Sequence, residues 1–163
     1  MKKNLITILV HNRPGVLSHV AGLVTRRGYN VESIAAGPTE NRAITRITLV
    51  VSGDTATVEQ VVKQFQKLID VITVQILDYV DALTGELALI TLKAGSGRRD
   101  KIVGLASLLG FRLVDVQADR VTVQVAGSTQ DVDTAIAALS PFTILAMGRT
   151  GLMALPRQGG EVS

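Results

Sequence analysis

The sequence predicts an α+β fold of two consecutive β-α-β-β-α-β units, each an antiparallel sheet with helices on one face. Three observations carry the prediction. Apolar residues switch between strand alternation and a helical period of about 3.6 wherever turn-forming residues fall. The same order of elements is spelled out twice within 163 residues. A short polar joint, Asp78-Tyr79-Val80-Asp81, stands between the two series.

Residues 4–10 are rich in β-branched side chains and read as a mostly buried strand ending at the turn Asn12-Arg13-Pro14-Gly15. Val16, Leu17, Val20, Leu23 and Val24 then form the apolar stripe of a helix, with Arg26 and Arg27 in its last turn and Gly28 just beyond. Residues 29–36 and 43–51 make a hairpin around a polar turn, with Thr45, Ile47, Leu49 and Val51 on one face. Asp54 or Thr55 caps a second helix striped by Val58, Val61, Val62, Phe65, Leu68 and Ile69, and residues 72–77 alternate as a fourth strand. The series restarts with a strand at 86–93, a turn at 94–97, and a helix whose Ile102, Leu105, Leu108 and Leu109 lie on one side before Gly110. Residues 111–117 and 120–126 form a second hairpin. Ser128 and Asp131 resemble a capping box opening a helix through Val132, Ala135, Ile136 and Leu139, Pro141 ends it, and residues 143–147 supply a last strand.

Both halves therefore read as the split β-α-β, ferredoxin-like sandwich. The expected division is a first domain at 1–78, a linker at 79–85, a second domain at 86–157 and a flexible tail at 158–163. A domain of about 75 residues is marginal on its own. Strands apolar on both sides, such as 5–10 and 47–51, call for cover on the second sheet face or edge. Pairing of domains within or between chains supplies it, so a two-fold homodimer is the simplest expectation.

Composition excludes several chemistries. With no Cys and two His, the chain lacks a disulfide framework, a thiolate metal site, a cysteine nucleophile and the three-ligand clusters of catalytic zinc, so ordinary metalloenzymes and thiol enzymes are excluded. An aromatic content of 3% is too low for base-stacking platforms, and the net charge of +3 forms no block, which argues against nucleic acid. No apolar run approaches the ~18 residues of a membrane span, and Met1-Lys2-Lys3-Asn4 run straight into a strand pattern with no apolar h-region and cleavage site behind them, so no signal peptide is expected. A cytoplasmic location is expected.

His11 and His19 stand eight residues apart with no nucleophile motif nearby and read as surface or cap histidines. Asp131 and Asp133 fall at a helix start, where the dipole favours them. Gly95-Ser96-Gly97-Arg98-Arg99 leads into a helix but lacks full phosphate-loop spacing. The first turn is the stronger candidate. Asn12 places an amide before a helix whose first N–H groups are unpaired, and Gly15 allows close approach, an arrangement suited to a carboxylate. The alternative is that Asn12 simply caps the helix with Pro14 at its first position. A second amide, Asn30, follows the Gly28 stop.

The string Asn12-Arg-Pro-Gly-Val-Leu17, followed by Arg26-Arg-Gly-Tyr-Asn-Val-Glu-Ser33 and Thr45-Arg-Ile-Thr48, closely resembles the amino-terminal ACT domain of the acetolactate synthase (acetohydroxyacid synthase) small regulatory subunit. Gly148-Arg-Thr-Gly151, with Ala154-Leu155 and Arg157-Gln-Gly159, resembles that family's terminal ARTGxxALxRG segment, with Gly148 in place of Ala and Gln158 intruding. The similarity covers almost the whole chain. It implies a protein without an active site of its own, partnered by a large catalytic subunit that uses thiamine diphosphate, magnesium and FAD in branched-chain amino-acid synthesis. The small subunit of that family raises activity and confers feedback inhibition, usually by valine.

By that resemblance a valine zwitterion sits between two ACT domains of a homodimer. Its carboxylate lies on Asn12 and the N–H groups near Gly15, Val16 and Leu17, its ammonium on Asn30 of the facing chain, and its isopropyl group beside Ile34 and Ala36. His11 and His19 depart from the acidic residue and Arg that relatives often carry there, which bears on pH response and on the choice among valine, leucine and isoleucine. A free-standing tandem ACT sensor acting on another enzyme or a transcriptional partner, and an acylphosphatase-like enzyme on the same sandwich, are the alternatives. The acylphosphatase glycine-rich loop is absent.

Overall fold

The structure is a computed structural model in which residues 3–95 and 97–157 are described; Ser96 of the glycine-flanked loop and the expected tail at 158–163 lie outside the described residues. In chain order the elements are β1 (Lys3–His11), α1 (Val16–Arg27), β2 (Asn30–Pro38), β3 (Ile44–Ser52), α2 (Thr55–Phe65), β4 (Val71–Leu77), β5 (Ala82–Lys93), α3 (Arg98–Leu109), β6 (Arg112–Val116), β7 (Arg120–Gly127), α4 (Thr129–Ala138), β8 (Ile144–Arg149) and β9 (Met153–Pro156). They form two compact units. The described residues up to Thr84 group with 152–157, and Gly85–Gly151 form the second.

In the first unit the strand order is β2-β3-β1-β4, and every neighbouring pair is antiparallel. Two interleaved β-α-β crossovers produce that order, with β3 between the parallel β1 and β2. Register sorts the side chains by face. Ile6, Ile8 and Val10 pair with Leu49, Ile47 and Thr45, and they share a core with Val16, Val20 and Leu23 of α1 and Val58, Val61 and Phe65 of α2. Each such side chain taken fully out of water contributes about 1.5–3 kcal/mol. Gly28 ends α1 in a left-handed conformation, as the Arg-Arg-Gly sequence predicts, and the Asp54 carboxylate caps α2 by accepting the Thr57 N–H at 2.8 Å.

The other face of this sheet is buried as well, at Leu5, Thr7, Leu9, Thr48 and Val50. Part of its cover comes from the chain's own far end. Leu152 and Ala154 join Ala82, Leu5 and Val50 in a cluster of their own, β9 pairs with β5, and the Arg157 N–H donates to the Asp81 carbonyl at 2.8 Å.

The second unit repeats the order as β6-β7-β5-β8. Ala88, Ile90 and Leu92 of β5 meet Ile102 and Ala106 of α3 and Val132 and Ala135 of α4 in its core. The capping box is present with both reciprocal bonds: Ser128 Oγ accepts the Asp131 N–H, and the Asp131 carboxylate accepts the Ser128 N–H.

The fold class is as the sequence predicts, and the differences are local. Residues 82–85, expected in a linker, begin β5, and 152–157, expected in the second domain, group with the first unit because Leu152 and Ala154 find their apolar cover there. Ile69 is 93% exposed because α2 ends at Phe65, four residues before it. Leu108 is 81% exposed: the buried side of α3 runs through Ile102 and Ala106, with Leu105 partly buried, and Leu108 falls off that line. Leu17, expected in the stripe of α1, is half exposed at its first turn.

Candidate functional site

The turn from β1 to α1 is stitched to its surroundings through the backbone. The His11 N–H donates to the Asp70 carbonyl at 2.8 Å and the Asn12 N–H to the Ala43 carbonyl at 2.7 Å. The Asn12 side chain follows, its Nδ2 donating to the Arg42 carbonyl at 3.0 Å. On the other side the Arg13 guanidinium lies 3.5 Å from the largely buried Asp70 carboxylate. Gly15 is the N-cap residue of α1 at φ +88°, a backbone that glycine adopts without Cβ strain, and no side chain caps the helix.

This geometry corrects the reading in which Asn12 caps the helix with Pro14 at its first position. The left-handed Gly15 moves the helix start to Val16, and Asn12 serves the β2–β3 connection instead. The Val16 N–H turns back to the Arg13 carbonyl at 3.4 Å, and the helical ladder opens with the His19 N–H on the Gly15 carbonyl at 3.0 Å. Leu17 and Ser18 lie between, in the first turn, where N–H groups have no carbonyl one turn back and the helix dipole is positive. Beside them is an open depression of about 240 Å³ bounded by residues 11–18 with Val10 and Thr45. Such an end accepts a carboxylate or another small anion.

Of the seven candidate residues, Asn12, Gly15, Val16 and Leu17 stand together around this depression. Asn30, Ile34 and Ala36 do not bound it; they lie on β2, the outer strand of the sheet. Register divides these three as well. Ile34 and Ala36 pair with Leu49 and Ile47, whose side chains face the helices, whereas Asn30 pairs with Ser52, and a bulge between Val31 and Ser33 separates the two registers. Glu32 sits in that bulge. The Lys3 ammonium 2.6 Å away and the Ser52 hydroxyl, which donates to it, hold its carboxyl below the usual range.

Val10, Arg13, Ser18 and Thr45 also bound the depression and are not among the sequence candidates. Thr45 arrives through the pairing of β3 with β1. Nothing in local spacing announces that, although the alternation of 43–51 already marks Thr45 as facing the helices. His11 borders the depression and His19 is exposed on α1. Among the described residues, no three His, Cys, Asp or Glu side chains are placed to hold a metal ion, and no helix is long and apolar enough to cross a membrane. The glycine-flanked loop before α3 includes Ser96, outside the described residues; its Gly97 is a left-handed N-cap without a side-chain cap.

The terminal motif has a structural reading residue by residue. Arg149 makes a two-pronged ion pair with the buried Glu86, at 2.7 and 3.0 Å, and reaches Asp133 at 2.8 Å. Thr150 exchanges bonds with Leu87, donating its N–H to the Leu87 carbonyl and accepting the Leu87 N–H on Oγ1, both at 3.0 Å. Gly151 turns the chain at φ +77°, and Leu152 and Ala154 are buried in the first unit.

Comparison with known proteins covers both units. A family model described as an AHAS small subunit-like ACT domain matches residues 6–73, and one described as the small subunit of acetolactate synthase matches residues 85–158. The chain is 38% identical over 159 residues to the acetolactate synthase small subunit of Aquifex aeolicus, spanning 97% of this chain and 83% of that one. It is 38% identical over 152 residues to that of Mycobacterium leprae, spanning 93% and 90%. The crystal structure of the acetolactate synthase small subunit from Thermotoga maritima matches with a TM-score of 0.90 at 31% identity, over 98% of this chain and 99% of that one. Across its first unit, its second unit and its whole length, the chain belongs to the acetolactate synthase small subunit family.

Proposed function

We propose that this chain is a non-catalytic regulatory subunit that binds the large catalytic subunit of an acetolactate synthase, raises its activity and confers feedback inhibition by valine. Thiamine diphosphate, magnesium and FAD belong to the catalytic partner in this reading. The observation that carries the effector role is the start of α1: a helix with no side-chain cap, entered through a left-handed glycine, beside a depression of about 240 Å³. That volume is below the usual 300–1,000 Å³ of drug-sized sites and suits an amino acid. The N–H groups of the first turn receive the valine carboxylate, with the second Nδ2 hydrogen of Asn12 available beside them.

The ammonium and isopropyl groups need partners that this turn does not supply. Asn30 of a facing chain takes the ammonium on its side-chain oxygen, and Ile34 and Ala36 wall the isopropyl group. A two-fold homodimer in the cytoplasm is the form in which we place this site. β2 supports the arrangement: it is an outer strand of nine residues, and such an edge is usually covered or paired. An effector held between two copies ties its binding to the geometry of the dimer, which is how occupancy reaches the catalytic subunit.

Gly15→Asp tests the placement. An added Cβ meets no atom within 4 Å there, so the variant folds, at a cost of about 1–2 kcal/mol for the left-handed backbone. Its carboxylate repels that of the ligand. Calorimetry is expected to show valine binding by the native chain and none by Gly15→Asp, while Gly15→Ala, equally strained but uncharged, still binds. Undiminished affinity in Gly15→Asp would contradict the site.

A further inference from the structure

Two ionisable side chains, His11 and Arg13, bound the depression at the start of α1. Arg13 alone carries a permanent charge, and the effector reading leaves that charge without a task. The Arg13 carbonyl lies 3.4 Å from the Val16 nitrogen, so its side chain is rooted beside the N–H groups of the first helical turn. That side chain is 68% exposed, and its guanidinium faces the Asp70 carboxylate at 3.5 Å.

Register brings Asp70 to this place. β4 begins at Val71 opposite Val10, after a bulge, and the Asp70 carbonyl accepts the His11 N–H at 2.8 Å. The Asp70 side chain is only 14% exposed, and Asp70 does not itself bound the depression. Their contact at 3.5 Å is looser than a charge-assisted hydrogen bond of about 2.7–2.9 Å. Among the described residues the guanidinium meets no other acceptor and the carboxylate no other donor. A guanidinium has donors to spare beyond one such contact.

We infer that Arg13 is a binding residue of the effector site: its guanidinium takes the carboxylate held on the first-turn N–H groups, and Asp70 competes for that guanidinium. An ionised carboxylate has about four lone-pair sites, so the N–H groups of the turn and the Asn12 amide leave room for a guanidinium. Whatever Arg13 gives to Asp70 is withheld from the ligand, which keeps affinity below what the turn would otherwise reach. Removing Asp70 therefore strengthens binding, and removing Arg13 weakens it. The inference rests on the valine reading and adds a charged group to that same site.

The full small subunit is titrated with L-valine by calorimetry as native chain, Arg13→Met, Asp70→Asn and the double variant, with melting curves confirming that each is folded. Arg13→Met, which keeps most of the apolar stem, is expected to bind valine about 3- to 10-fold more weakly than the native chain. Asp70→Asn should bind it about 2- to 5-fold more tightly, and the double variant at least about 3-fold more weakly than Asp70→Asn. That last comparison separates contact from screening: a residue that only neutralises Asp70 has nothing left to do once Asp70 is gone. Equal affinity in Asp70→Asn and the double variant overturns the inference. If Asp70→Asn does not fold, Asp70→Ser replaces it in both comparisons. A native chain that binds valine while Arg13→Met matches it also overturns the inference and leaves the valine reading standing. A native chain that does not bind valine overturns the valine reading, and the role of Arg13 with it.

Discussion

At Gly15 the backbone sits at φ +88° with open space where a Cβ would go, so the demand for glycine is conformational and comes from the need to start α1 without a capping side chain. The sequence shows the glycine and the amide beside it. It does not show that Asn12 is held by the Arg42 carbonyl, because that partner is 30 residues away and arrives only when the hairpin folds. Arg149 is the second residue whose role depends on distant partners. Its pair Glu86 has a side chain only 4% exposed, whereas Arg149 itself is 29% exposed. Removing the cation in Arg149→Met leaves a buried carboxylate uncompensated and is expected to cost about 3 kcal/mol, near the low end for such pairs. The double variant Glu86→Met/Arg149→Met recovers part of that loss. Chemical denaturation of the single and double variants checks this; a double variant no more stable than Arg149→Met would mean the pair is not the source.

Most elements are legible in the sequence because two periods and a few caps specify them. The Ser128–Asp131 box, the Asp54 cap and the Gly28 and Gly110 stops all fall where propensity puts them. Ile69 and Leu108 mislead because an apolar side chain near a helix end satisfies a periodic pattern whether or not the helix continues or turns that side inward. β9 is missed because four residues, Met153 to Pro156, are too few to display alternation, and their cover lies on a sheet formed by the opposite end of the chain. The caps carry a pH dependence. Asp54, bonded to Thr57, and Asp131, bonded to Ser128, are both held below the ordinary value of 3.8. A carboxylate depressed in the folded state stabilises above its unfolded value, and that contribution disappears as pH falls through the lower folded value. The thermal midpoint should therefore drop on acidification below about pH 4, and Asp131→Asn should flatten that drop. A melting series across the acid range reads it out; an unchanged slope would remove Asp131 from the account. Ser128→Ala, measured at neutral pH, should cost about 1 kcal/mol.

At the scale of the molecule, two units of one topology are joined twice, through β5 and again through the return of residues 152–157. The repeat is plain in the sequence, since both series spell β-α-β-β-α-β. The return is not, because nothing local marks Leu152 and Ala154 as belonging to the first unit. The candidate site is divided in the same way: one turn collects Asn12, Gly15, Val16 and Leu17, while Asn30, Ile34 and Ala36 line an outer strand. A complete effector site in this account takes a second copy, and its output takes the catalytic subunit. Acetolactate formation by the cognate catalytic subunit, measured with and without this chain and across a valine titration, addresses that claim most directly. Activity should rise when the chain is added and fall as valine increases, with Gly15→Asp activating but resisting valine; activity that neither rises with the chain nor falls with valine contradicts the account.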